Sequence, residues 1–158
     1  MMYSRINWEV IINQEMIIYQ RKRGKLIMSK AELAIEKKYN GKCNCAQAVA
    51  CSYSDLAGID EETAKTLTQG FAGGFGGSME GTCGALIGAV SMLGLINKNS
   101  PNTMQSARKI INAFKEQNGT VVCRQLKGVD DGIIKRSCID CVKDACVFLE
   151  EQLTCSKG

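Results

Sequence analysis

Gly81-Thr82-Cys83-Gly84-Ala85-Leu86-Ile87-Gly88-Ala89 is the stretch on which the fold turns, because it opens an apolar run that continues to Ile96. The pattern predicts a central helix over Cys83 to Ile96. Gly84, Ala85, Gly88 and Ala89 stand at i, i+4 spacing, so another backbone can approach that face closely. The run from Ala85 to Ile96 is too short to cross a bilayer, which takes roughly 20 residues. A tightly packed core helix is the plain reading. Cys83 adds a second one. At a helix N-terminus, free N–H groups and partial positive charge favour thiolate over thiol.

Upstream lies a glycine-rich loop, Gly70 to Gly81, containing Gly70-Phe71-Ala72-Gly73-Gly74-Phe75-Gly76-Gly77. It is not a phosphate loop. No Gly-Lys-Ser/Thr follows, no G-x-G-x-x-G occurs, and no strand precedes it. Its glycines instead suit a backbone crowded against a cofactor or a neighbouring helix, with N–H groups free to donate to sulfur.

Outward from this centre the chain reads as helices. Ser29-x-x-Glu32 is a capping box, and Ala31 to Tyr39 follows it, ending near Gly41. A second helix is expected over Asn44 to Ala57, with Gly58 beyond. Asp60 caps a third, through Leu67 to about Gly70. Ser100-Pro101 starts a fifth, with proline at the first helical position, ending at Gly119. A short turn follows at Cys123 to Leu126, and Ser137 opens a last helix, Cys138 to Leu153. The expected fold is all-α, a compact bundle of about five helices with the glycine-rich loop before the central one.

Residues 29–158 are expected to form one cysteine-rich helical redox domain. Residues 1–28 differ from them. They hold Arg5, Arg21, Lys22, Arg23 and Lys25 against Glu9 and Glu15, which is +3 of the total +4. Two readings of this N-terminal extension stand side by side: a mis-assigned start, with Met28 as the native one, and an amphipathic helix. The remaining +1 on residues 29–158 is no footprint for nucleic acid.

The 158 residues contain nine cysteines and no histidine. No convincing export signal is present, so a cytoplasmic setting is expected, where metal or redox roles outweigh structural disulfides. Without histidine there is no mixed cysteine–histidine zinc site, no C-x-x-C-H haem attachment and no cysteine–histidine nucleophile pair. Any metal must be held mainly by sulfur. Cys45, Cys83, Cys123 and Cys138 each fall at or near the start of a helical segment, and a bundle can gather such starts at one end. Four meeting thiolates would make an iron–sulfur or zinc site; two or three would make a dithiol switch. Cys51 reads as a small buried hydrophobe. Cys138-x-x-Cys141 resembles a thioredoxin-type dithiol, but no βαβ pattern surrounds it. Scattered core thiols are the packing alternative.

The ordered set Asn44-Cys45-Ala46-Gln47-Ala48-Val49, the opening motif, Cys123-Arg124-Gln125-Leu126, and Arg136-Ser137-Cys138 with Val142-Lys143-Asp144-Ala145 resembles the redox-active C-GCAxxG-C-C family over about residues 30–155. That family is similar to a domain of split-Soret cytochrome c, a dimeric protein with haem and an iron–sulfur cluster. The haem part does not carry over to a chain without histidine. The resemblance implies cluster binding at Cys45, Cys83, Cys123 and Cys138, beside Gly84, with Cys43 and Cys141 near enough to substitute. The expected function is a small electron carrier or redox sensor with an iron–sulfur cluster of the 2Fe–2S type, rather than an enzyme with its own substrate. Its partner would be another redox protein, and a homodimer through the small-residue face is open. A metal-free thiol–disulfide oxidoreductase or switch is the alternative. A structural zinc module with four cysteine ligands is a minor one, because its ligands usually come as close pairs.

Overall fold

The computed structural model describes residues 28–98 and 100–155. The two readings of the N-terminal extension therefore lie outside the described residues. Among those described there are eight α-helices and no β-strand, so the fold is all-α.

Helix α1, Lys30–Tyr39, begins as its sequence dictates. Ser29 Oγ accepts from the Glu32 N–H at 3.1 Å, and Glu32 returns the bond to the Ser29 N–H at 2.7 Å. Helix α2, Cys45–Ser52, repeats the device with Asn44 and Gln47 at 2.9 and 3.0 Å. Each box satisfies two N–H groups that a helix start otherwise leaves unpaired. Every residue of α2 is buried, which makes it the hub of the core.

The single helix expected over Asn44 to Ala57 is broken. Helix α2 ends at Ser52, and Tyr53, at φ −110° and ψ 5°, separates it from α3, Ser54–Ala57. The cause is local competition for backbone carbonyls. Ser52 Oγ donates to the Ala48 carbonyl and Ser54 Oγ to the Cys51 carbonyl, at 2.8 and 3.0 Å. Tyr53 then turns inward, fully buried, with its hydroxyl 3.2 Å from the Cys146 carbonyl and 2.9 Å from Glu150 Oε1.

Asp60 caps α4, Glu61–Leu67, and a 3₁₀ turn at Gln69–Phe71 leads into the glycine-rich loop. Helix α5 is Gly84–Asn97 and α6 is Thr103–Asn118. Pro101 does not occupy the first helical position. It lies in a turn before Asn102, the N-cap, and Thr103 N–H bonds to the Ser100 carbonyl at 3.0 Å. Two further helices complete the fold, α7 at Cys123–Leu126 and α8 at Cys138–Cys155.

The most extensive helix contact is α2 against α5, as the small-residue stripe anticipates. A methyl group on Gly88 would meet the Ala46 carbonyl oxygen at 2.6 Å, so only hydrogen lets the two helices lie this close. Helix α8 crosses α1, α5 and α6 and closes the core around Val49, Tyr53, Leu86, Met92, Leu93, Ile110, Phe114, Val142 and Leu149. No helix is long and apolar enough to cross a membrane among the described residues.

Candidate functional site

The local backbone places each candidate cysteine at a helix start. Cys45, Cys123 and Cys138 are the first residues of α2, α7 and α8, and Cys83 is the N-cap of α5. A two-way backbone bridge pairs Thr82 with Val122. Through it the Cys83 N–H reaches the Val121 carbonyl at 2.8 Å, and the Cys123 N–H reaches the Gly81 carbonyl at 3.0 Å. Two cysteines forty residues apart in sequence are thus fixed side by side. Helix α2 brings in Cys45, whose Sγ lies where a Gly84 side chain would be, 2.7 Å from the position of its missing Cβ.

Helix α8 contributes Cys138 and Cys141. An ion pair anchors its entry: Arg136 grips Asp144 with two bonds of 2.9 and 2.8 Å, and Asn118 Nδ2 donates to the same carboxylate at 3.1 Å. Asp144 is almost fully buried, so the pair holds the segment leading into Cys138 firmly against the bundle.

These sulfurs lie within electrostatic range of one another. Cys45 senses the charge of Cys83 and Cys138, and Cys123 senses Cys83, Cys138 and Cys45. Cys141 hydrogen-bonds to Cys83, and Cys138 bears on Cys141 as well. The Lys127 ammonium hydrogen-bonds Cys138 and bears on Cys123, Cys45 and Cys83. Backbone N–H groups point at sulfur too: Gly73 toward Cys45, and Ala85 and Leu86 toward Cys83.

The five thiols do not behave alike. Cys83 is drawn down to about 7, first by the hydrogen bond from Cys141 and then, against the opposing effect of burial, by the Ala85 and Leu86 N–H groups and Lys127. Its partner Cys141 is pushed far up, because it supplies the proton in that bond and is buried. Burial pushes Cys123 up to about 11, with neighbouring Cys83 adding to it, and burial raises Cys45 as well. Cys83 is therefore drawn toward thiolate near neutral pH, while Cys45, Cys123 and Cys141 hold their protons around it.

The structure brings together Cys45, Cys83, Cys123 and Cys138, and adds Cys141. Cys43 does not join them; its hydrogen-bonding neighbour is Cys51. Lys127 carries no motif signal, although its position four residues after Cys123 puts it one turn along from that cysteine. Met79 is a further soft atom, with Sδ 3.7 Å from Cys123 Sγ. No group of three or more cysteine, aspartate or glutamate side chains stands ready to hold a single metal ion among the described residues. The donor set itself, five sulfurs with N–H donors and one ammonium, fits a soft-metal cluster.

An all-α bundle that gathers buried cysteines from four chain segments defines a protein of redox-active type. A family model described as "Putative redox-active protein (C_GCAxxG_C_C)" matches residues 43–152, and the chain belongs to that family. No curated protein and no solved structure matches the chain.

Proposed function

We propose that this protein carries or senses electrons through an iron–sulfur cluster of the 2Fe–2S type, held by Cys45, Cys83, Cys123 and Cys138. The observation that carries this reading is the meeting of sulfurs from α2, α5, α7 and α8 around backbone N–H donors and Lys127. Bound there, the cluster would supply one-electron chemistry. The chain's own residues do the rest. Cys83, already drawn toward thiolate, offers the first anionic sulfur. The Gly73, Ala85 and Leu86 N–H groups and the Lys127 ammonium offset the negative charge that four thiolates bring together. That compensation favours the reduced state and raises the reduction potential. A sulfide-bridged cluster also spreads its thiolates over more than one iron. That suits sulfurs which do not close on a single point better than a lone zinc ion does. All nine cysteines are free thiols, in keeping with a reducing compartment such as the cytoplasm. Anaerobic reconstitution with iron and sulfide, followed by visible spectroscopy and metal analysis, is the test. A coloured protein with matching iron and sulfide is expected; a colourless, iron-free one sinks the reading.

One observation favours a second reading, a metal-free thiol–disulfide switch. Cys83 and Cys141 are already hydrogen-bonded as a thiolate–thiol pair, with Cys83 at about 7. Such a pair is poised for oxidation to a disulfide. Mass spectrometry of metal-free protein oxidised with a small disulfide tests it. A Cys83–Cys141 cross-link is expected, and free Cys83 and Cys141 after such treatment would exclude it.

A further inference from the structure

One face of α6 has no partner among the described residues. Ala107, Ile110 and Phe114 turn into the core. At about 100° per residue, Met104, Arg108, Ile111 and Lys115 fall within an arc of about 60°, and all four are exposed. Met104 is 72% exposed and Ile111 36%. Cations elsewhere find carboxylates: Lys30 with Asp55, Lys37 with Glu61, Arg124 with Glu80 and Asp130, and Arg136 with Asp144. Arg108, Lys109 and Lys115 find none among the described residues. Against Glu116, these three give α6 a charge of +2, while residues 29–158 together carry only +1. Positive charge is therefore concentrated on this helix, and two exposed apolar side chains alternate with it along one stripe.

We infer that this stripe is the docking surface for an acidic electron-carrier protein, whose carboxylates meet Arg108 and Lys115 and whose apolar side chains meet Met104 and Ile111. The partner's redox character rests on the function proposed above; the sign of its charge rests on α6 alone. Other occupants fit less well. A second copy seated on the same stripe across a two-fold axis brings Arg108 and Lys115 against their own kind. The N-terminal extension carries +3 and is repelled in the same way. A lipid surface takes up a helix by a broad apolar face, and that face of α6 is already packed in the core. The position of α6 also suits electron transfer. Val121, two residues beyond its C-cap Gly119, accepts the Cys83 N–H at 2.8 Å. Asn118, its last residue, bonds to Asp144, whose partner Arg136 leads into Cys138. A protein docked along α6 is thus held beside segments that carry two of the sulfurs. Small, charge-steered contacts suit carriers that must bind and leave quickly.

The test titrates the full chain, metal-free and reconstituted, with a purified acidic 2Fe–2S ferredoxin and reads binding by calorimetry. Binding is expected at low salt and should weaken at least about fivefold between roughly 20 and 200 mM NaCl, as screening shortens the reach of the charges. R108E/K115E should weaken it at least about tenfold, with an unchanged circular dichroism spectrum. K109E, whose charge lies about 100° round the helix from Arg108, should weaken it less than R108E does. No binding by the wild-type chain, equal binding by R108E/K115E, or equal loss in K109E and R108E overturns the inference. So does attachment to phosphatidylserine vesicles, or self-association in sedimentation velocity, that R108E/K115E abolishes while the ferredoxin fails to bind. Docking needs no iron in this chain. A chain that binds the ferredoxin but takes up no iron therefore refutes the cluster alone, and an iron-loaded chain that does not bind refutes the docking surface alone.

Discussion

At the scale of single residues, Cys83 is the position where backbone and side chain act on one sulfur. The helix start alone would lower its pKa, but the largest influence is the proton supplied by Cys141. Replacing that donor therefore has a predictable sign. In metal-free C141A the Cys83 titration, read from the Cβ carbon shift of labelled cysteine, should move upward from about 7. C141S keeps an O–H donor and should move less. An unmoved midpoint in C141A would mean the helix start alone sets the thiolate. The linkage to stability follows. The folded-state value is depressed from an ordinary 9.0, so the stabilisation from Cys83 is complete above pH 9 and is lost as pH falls through about 7. Tyr53 is the other decisive residue. It is fully buried, and its hydroxyl ties the break between α2 and α3 to Cys146 and Glu150. Y53F should lower stability by about 1–2 kcal/mol, since the buried Cys146 carbonyl and the half-buried Glu150 carboxylate lose the donor they share; urea unfolding checks it. The same change should push Glu150 further up, because burial already raises it and the Tyr53 bond is what holds it down.

Among the helices, close approach matters more than intrinsic propensity. Alanine is the better helix former by about 1 kcal/mol, so G88A would stabilise an isolated α5. In the bundle its methyl group would meet the Ala46 carbonyl at 2.6 Å, and overpacking of this kind costs about 1–3 kcal/mol. Net destabilisation in urea unfolding is expected; a stabilised G88A would show that α2 and α5 can separate freely. At Gly84 the same change strikes Cys45 Sγ and the Phe71 carbonyl, both at 2.7 Å, so G84A should also disturb the sulfur group. The entry to α8 depends on a buried ion pair. R136A leaves the buried Asp144 carboxylate with only the Asn118 amide as donor and should cost about 3 kcal/mol, at the lower end for a broken buried pair because Arg136 is partly exposed. Much of this was legible in the sequence. Ser29, Asp60, Gly58 and Gly119 mark helix ends through chemistry that acts within a few residues. The break at Tyr53 was not legible, because the residue types Ser52 and Ser54 do not declare that their hydroxyls turn back onto the Ala48 and Cys51 carbonyls, and the α8 site that receives the buried Tyr53 lies more than ninety residues away. Pro101 misled for a related reason. Its backbone suits a first helical position, but the turn on Ser100 delays the helix to Thr103.

For the molecule as a whole, the fold is a device for bringing helix starts together. The sequence placed Cys45, Cys83, Cys123 and Cys138 at such starts, because capping residues and glycines declare them locally. It did not reveal the two-way bridge between Thr82 and Val122 that sets Cys83 beside Cys123. Nor did it reveal Lys127 among the sulfurs, since one lysine near one cysteine is unremarkable until the chain has folded. Nor did it separate Cys43 from Cys141, of which the first lies beside Cys51 and the second beside Cys83. Membership of the redox-active family over residues 43–152 agrees with the convergence of cysteines, and the cluster is the claim that ties the two together. Iron content of reconstituted single-cysteine variants tests that claim most directly. C45A, C83A, C123A and C138A should each lose roughly half or more of the iron and sulfide held by the wild-type chain, while C146A and C155A keep theirs. Equal retention in all six variants, or no iron in the wild-type chain, would contradict it.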